Sequence, residues 1–148
     1  MAGRDMKTAA DIAVRPASWH TDREILSAIR GQVFIKEQSV PVELEHDEFD
    51  AEAWHVMALV EGVPIETGRL LADGHIGRMA VLLEWRGMGA GAAMLGTLMQ
   101  IARSLGMQRV VLNAQLHALP FYLRQGFQPV GENFMEAGIA HRRMERDL

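Results

Sequence analysis

A chain of 148 residues with 49% hydrophobic residues and a formal net charge of −4 is long enough to bury one sizeable core. The acidic balance argues against a nucleic-acid surface, and no apolar run reaches the length that spans a bilayer. The absence of cysteine excludes disulfides, thiolate metal sites and a cysteine nucleophile, which suits a cytoplasmic protein with no nucleic-acid or membrane partner. Met1 to Ala10 lacks the apolar centre of a signal peptide and reads as a flexible lead-in, leaving 11–148 as a single domain.

In chain order, Asp11 to Pro16 alternates and then meets proline, which predicts a short first strand. Thr21 or Asp22 can cap a helix running to about Gln38, with apolar positions at Ile25, Leu26, Ile29, Val33 and Phe34. The segment from Ser39 to Glu52 carries six acids and His46. It reads either as a solvated loop or as a rim that attracts a cationic substrate; its spacing fits no EF-hand loop, and no metal site is expected. Trp54–Val60 and Ile65–Leu71 flank Glu61-Gly62-Val63-Pro64 as an antiparallel hairpin, and a third strand spans about His75 to Leu83. A helical stripe from Ala92 to Leu105 ends at Gly106, followed by a strand over Gln108–Ala114 and a short helix over Leu116–Arg124. The tail from Ile139 to Glu145 alternates weakly and is expected to form a last edge strand. With no repeat or linker, the pattern is that of one α/β domain.

The most informative stretch is Arg86-Gly87-Met88-Gly89-Ala90-Gly91, between the third strand and the helical stripe. A strand that turns through glycines into a helix leaves several backbone N–H groups pointing the same way at the positive end of the helix dipole, a ready site for phosphate. A P-loop would place Lys and then Ser or Thr after its last glycine, where this chain has Ala92 and Ala93. A Rossmann turn would bring an acid about 20 residues further on, and Arg109 to Ala114 contains none. The remaining pattern, Arg/Gln-x-x-Gly-x-Gly/Ala, is matched by Arg86, Gly89 and Gly91.

That pattern resembles the acyl-CoA loop of the GCN5-related N-acetyltransferases (GNAT superfamily). A second signature of that family, an aromatic-Tyr pair followed four residues later by Gly-Phe, is matched by Phe121-Tyr122 and Gly126-Phe127. Val33-Phe34, Glu37-Gln38, Gly68-Arg69-Leu70, Ile76-Gly77-Arg78, Ala114-Gln115 and Gly138-Ile139-Ala140-His141 look like the ElaA-like subgroup, so the resemblance runs from about Ile29 to Met144. It implies an α+β fold with a mixed central sheet of six or seven strands and flanking helices. It also implies an N-acetyltransferase that moves an acetyl group from acetyl-CoA to a small-molecule or peptide amine, as a monomer or homodimer.

Site residues follow from the same resemblance. Arg86, Gly87, Met88, Gly89, Ala90, Gly91 and Ala92 would hold the pyrophosphate, and Met79, Ala80 and Val81 would supply the backbone donor for the oxyanion. Phe121 would lie at the cofactor, and Gln115 stands where an Asn touching coenzyme A is common. Tyr122 would protonate the leaving thiolate as general acid. For the base, Glu43, Glu45, Asp47, His75, His117 and water remain open, while His55 and His141 read as structural. A non-catalytic acyl-CoA sensor on the same fold is the alternative function, in which Tyr122 would be dispensable.

Overall fold

The structure is a computed structural model that describes residues 12–45 and 47–148; the expected lead-in and His46 lie outside the described residues. Strands β2 (Trp54–Val60) and β3 (Val63–Leu70) form a tight hairpin whose two loop residues, Glu61 and Gly62, both have positive φ, 50° and 80°. Such a two-residue turn matches the natural twist of the strands, so β3 starts two residues before the sequence pattern suggests. Strand β1 (Ile12–Ala17) pairs along β2 at the sheet edge, where Pro16 removes no needed donor. Strand β4 (Ile76–Val81) pairs with the other side of β3, completing an antiparallel sheet in the order β1-β2-β3-β4.

A second antiparallel sheet has the order β5-β7-β6, from β5 (Arg109–Gln115), β6 (Gln128–Glu136) and β7 (Ile139–Asp147). The tail strand is therefore not an edge, as its weak alternation suggested. It lies between β5 and β6, and β6, largely exposed and carrying Pro129, is the edge. The two sheets meet where His75 bridges Val111 in parallel and the Val111 N–H donates to the Gly74 carbonyl at 3.0 Å. Beyond that point β4 and β5 have no ladder between them.

Helix α3 (Ala90–Ser104) joins β4 to β5 and packs Met94, Leu95, Leu98 and Ala102 against Val56, Ala58, Ile65 and Leu70. Each fully buried side chain of this size contributes about 1.5–3 kcal/mol, and this cluster, closed by Phe127 and Met144, is the main core. The opposite face of the first sheet carries α1 (Arg23–Arg30), which continues as a π-helix over Gly31–Glu37. The expected single helix to Gln38 thus changes its winding at Gly31. The Gln38 N–H donates to the Val33 carbonyl five residues back, at 3.0 Å. Asp22 stands at the N-cap of this helix, as expected, but its carboxylate accepts the Ser18 N–H at 2.9 Å rather than a first-turn N–H. A single turn, α2 (Val42–Glu45), and a short helix, α4 (Leu119–Arg124), complete the fold.

Candidate active site

Between β3 and β4 the register slips: Thr67 pairs with Ala80, but Arg69 pairs with Gly77. The extra residue is absorbed at Arg78, which adopts φ of 50°, a conformation costing a non-glycine residue about 1–3 kcal/mol. The bulge bends β4 away from β5, so Met79, Ala80 and Val81 have no strand partner on that side. The gap is the mouth of a cleft of about 1020 Å³. Phe34 and Gln38 of the π-helix segment form one wall, Gln115 and Tyr122 another, and Leu44 and Phe49 the outer rim.

Where β4 ends, a short 3₁₀ turn (Leu83–Trp85) anchors the chain through the buried Trp85, and the glycine turn follows. Gly87 and Gly89 take φ of 80° and 88°, and Gly89 caps α3 with no side-chain acceptor. The first-turn N–H groups of Ala90, Gly91 and Ala92 therefore face outward at the positive end of a helix of 15 residues. Met88 packs against the core beneath them. A Cβ on Gly91 would stand 3.2 Å from the Phe121 ring, so this glycine also makes room for Phe121. Arg86 is occupied within the protein. Its guanidinium donates to both carboxylate oxygens of Glu37, at 2.6 and 2.8 Å, and its Nε to the Val81 carbonyl at 2.9 Å. The hydrogen bonds from Arg86 hold the Glu37 carboxyl below its ordinary pKa.

On the far side of the turn, Phe121, Tyr122 and Phe127 stack edge to face, with centroids 5.0 and 5.9 Å apart. The Tyr122 hydroxyl points at β4 and reaches the Met79 sulfur at 3.9 Å. Burial, and then the nearby Glu66 carboxylate, push the phenol up to about 12. Gln115 donates to the Gln38 side chain at 2.9 Å, bridging the two walls. Glu66 itself escaped the sequence reading, although a carboxylate inside the apolar run from Val63 to Leu70 was its visible signal.

The acidic segment is only half solvated: Glu43, Glu48 and Glu52 stay exposed, while Glu45, Asp47 and Asp50 fold onto arginines. Buried Arg30 bonds Glu45 and donates to Asp50 at 2.8 and 3.1 Å. Arg69 donates twice to Asp47, at 2.7 and 2.8 Å, and once to Asp50 at 2.7 Å. Arg78 donates to the carbonyls of Glu45 and Leu44 and to Asp47. Three arginines thus face three acids, and the charges cancel. The Arg69 hydrogen bond holds Asp47 below its ordinary pKa, which makes it a poor base at neutral pH. Burial would raise Asp50, but the bonds from Arg30 prevail and it falls to about 2. Glu43 stays exposed on α2.

Among the histidines, His55 donates Nε2–H to the Asp50 carbonyl at 2.8 Å and stacks on Trp19, a structural arrangement. His141 is similarly committed, Nδ1 lying 2.7 Å from the Ile139 carbonyl. His75 and His117 line the cleft, His75 against Asp73 at 3.0 Å.

The family model described as an acetyltransferase (GNAT) domain matches residues 16–148. The uncharacterized N-acetyltransferase YjcF of Bacillus subtilis is 37% identical over 123 residues, covering 80% of this chain and 88% of its own. An acyl-CoA N-acyltransferase of Pseudomonas aeruginosa is similar in structure, with a TM-score of 0.80 and 30% identity, covering 91% of this chain and 99% of the other. Escherichia coli ElaA gives a TM-score of 0.79 at 27% identity, over 91% of this chain and 99% of its own. With the bulged β4, the glycine turn into α3 and the Phe121-Tyr122 pair in place, the chain belongs to the GNAT family of acyl-CoA-dependent acetyltransferases.

Proposed function

We propose that this protein transfers the acetyl group of acetyl-CoA to a primary amine by direct attack within a ternary complex. The observation that carries this reading is the meeting of the unpaired β4 edge, through Met79 and Val81, with Tyr122 and Arg86 in the lining of one cleft, Arg86 leading directly into the glycine turn that opens α3. The N–H groups of Ala90, Gly91 and Ala92, with the turn at Gly87–Gly89, hold the pyrophosphate. An N–H on the β4 edge stabilises the oxyanion that develops when the amine attacks the thioester carbon, and does so without reorganising. Tyr122 gives its proton to the departing sulfur. With Asp47 and Asp50 held as anions by arginines, deprotonation of the amine falls to water, His75 or His117.

A screen of acetyl-CoA consumption against mixed amines tests this. Tyr122→Phe keeps the ring and its packing, so it separates the hydroxyl from the core. A rate reduced about 10²–10⁴-fold with near-parent acetyl-CoA affinity is expected. Parent turnover in that variant would remove Tyr122 from the chemistry.

A further inference from the structure

Leu44 and Phe49 are large apolar side chains held outside the core, 53% and 52% exposed, on the rim of the cleft. Their exposure is built in. The Leu44 carbonyl accepts from Arg78 at 3.3 Å, and the Phe49 N–H donates to the Asp47 carboxylate at 3.1 Å. Asp47 is itself bonded by Arg69 and Arg78, while buried Arg30, bonded to Glu45 and Asp50, ties down both ends of the segment. Three arginines thus pin a stretch of chain whose apolar side chains stay in water. A ligand with an apolar surface would cover them, and exposed apolar side chains gathered at a cleft mark a place where something binds.

The rim stands at the end of β4 away from the glycine turn. The turn follows Val81, whereas Arg78 lies near the start of the strand and Arg69 pairs with Gly77. Phe34, partly buried beside Ile29 and Val33, adds a second ring to the cleft lining.

The charges of the cleft are as informative as its apolar surface. Arg69, Arg78 and Arg86 line it, and each already donates to an acid of this chain: Asp47 and Asp50, Asp47, and Glu37. Among the described residues, no lysine lines the cleft to supply a further cation. Glu136, half exposed at the end of β6, lines it with no arginine bonded to it among the described residues. Its polar neighbours are the Asn113 amide nitrogen at 3.4 Å and His141 Nε2 at 3.8 Å. Asn113 lies two residues past Val111, where the two sheets meet, so Glu136 stands at the same end of the cleft as Gly77 and Arg78.

Resting on the reading of this protein as an N-acetyltransferase, we infer that its acceptor is a primary amine with an apolar alkyl or aryl body and no carboxylate or phosphate. The body packs against Phe34, Leu44 and Phe49. The amine arrives as a cation, drawn by the unneutralised Glu136. An acidic group on the acceptor would find the arginines taken and a like charge nearby, which disfavours it.

2-Phenylethylamine and phenylalanine differ by one carboxylate, and ethanolamine lacks the apolar body. With the full-length protein and acetyl-CoA, kcat/KM is expected to be at least ~10-fold higher for 2-phenylethylamine than for either. Glucosamine 6-phosphate, a phosphorylated amine, should be as poor as phenylalanine. Phe49→Ala alters an exposed side chain and should raise KM for 2-phenylethylamine about 10-fold with little change in kcat, a split that loss of folded protein would not give. Glu136→Lys should narrow or reverse the preference over phenylalanine. The inference is overturned by kcat/KM for phenylalanine or glucosamine 6-phosphate that equals or exceeds that for 2-phenylethylamine, or by a Phe49→Ala enzyme with the parent KM. Calorimetric titration of 2-phenylethylamine into the protein loaded with coenzyme A separates this inference from the transferase reading. Saturable binding that weakens in Phe49→Ala, without acetyl transfer to any amine, would remove the transferase reading and keep the ligand class. No saturable binding of 2-phenylethylamine overturns the ligand class, whatever other amines are acetylated.

Discussion

Arg86 and Glu37 tie the two walls of the cleft together. Their paired hydrogen bonds, at 2.6 and 2.8 Å, run from the glycine turn to the last residue of the π-helix, and Arg86 Nε fixes the end of β4 through the Val81 carbonyl. The glycine turn and the π-helix segment are thereby coupled through one ion pair. In this geometry the guanidinium is committed to Glu37 and to the Val81 carbonyl.

The two roles separate experimentally. If Arg86 acts by shaping the turn, Glu37→Ala and Arg86→Ala should each weaken acetyl-CoA binding by a similar, modest amount. About 1 kcal/mol, near fivefold, suits a half-exposed bidentate pair. If Arg86 instead binds phosphate directly, Glu37→Ala should leave affinity unchanged or improve it. Calorimetric titration of the two variants checks this.

The glycines of the turn should fail in different ways. Gly89 holds φ of 88°, so Gly89→Val is expected to strain the backbone by about 1–2 kcal/mol and to abolish acetyl-CoA binding while the core persists. Gly91 has an ordinary backbone, and its added Cβ would press on Phe121 at 3.2 Å. Gly91→Ala should therefore disturb the Phe121-Tyr122 pair and lower turnover more than it lowers acetyl-CoA affinity. Comparing kcat with the dissociation constant in both variants tests the distinction.

Buried Arg30, bonded to Glu45 and Asp50, is expected to matter for folding. Removing one partner of a buried ion pair leaves the other uncompensated, and Asp50→Ala should cost about 3–5 kcal/mol by urea denaturation. Asp50 is depressed from 3.8 to about 2, so its contribution is complete above about pH 3.8 and is lost as pH falls toward 2. Parent and variant stabilities should converge across that acid window, and parallel curves would show that the pair is not what stabilises the segment.

Local signals in the sequence were reliable guides. The β2–β3 hairpin, α3 and β5 follow from alternation, glycine placement and helical spacing within single segments, and the glycine turn lies where its spacing put it. What escaped depends on distant partners. The acids at 45, 47 and 50 look solvated until Arg30, Arg69 and Arg78, which lie 15 to 33 positions away, fold onto them. The central place of β7 depends on β6 covering its outer side. The change of winding at Gly31 has no local marker, since Gly31 itself keeps a helical φ of −62°.

Glu66 gives the last test, one that needs neither substrate nor cofactor. Its pKa rises from 4.5 in the ordinary carboxyl to about 8 in the fold, so between those values the folded chain keeps a proton that the unfolded chain gives up. Stability must then fall as pH climbs from about 4.5 to about 8 and level off above. The full span corresponds to roughly 5 kcal/mol, an upper figure because water entry would relieve the buried charge. Glu66→Gln carries no titrating group there, so its curve should be flatter, with the variant gaining on the parent by about 3 kcal/mol or less between pH 4.5 and pH 7. Urea denaturation at several pH values decides the point. Equal slopes for the two proteins would mean that Glu66 ionises freely in the fold.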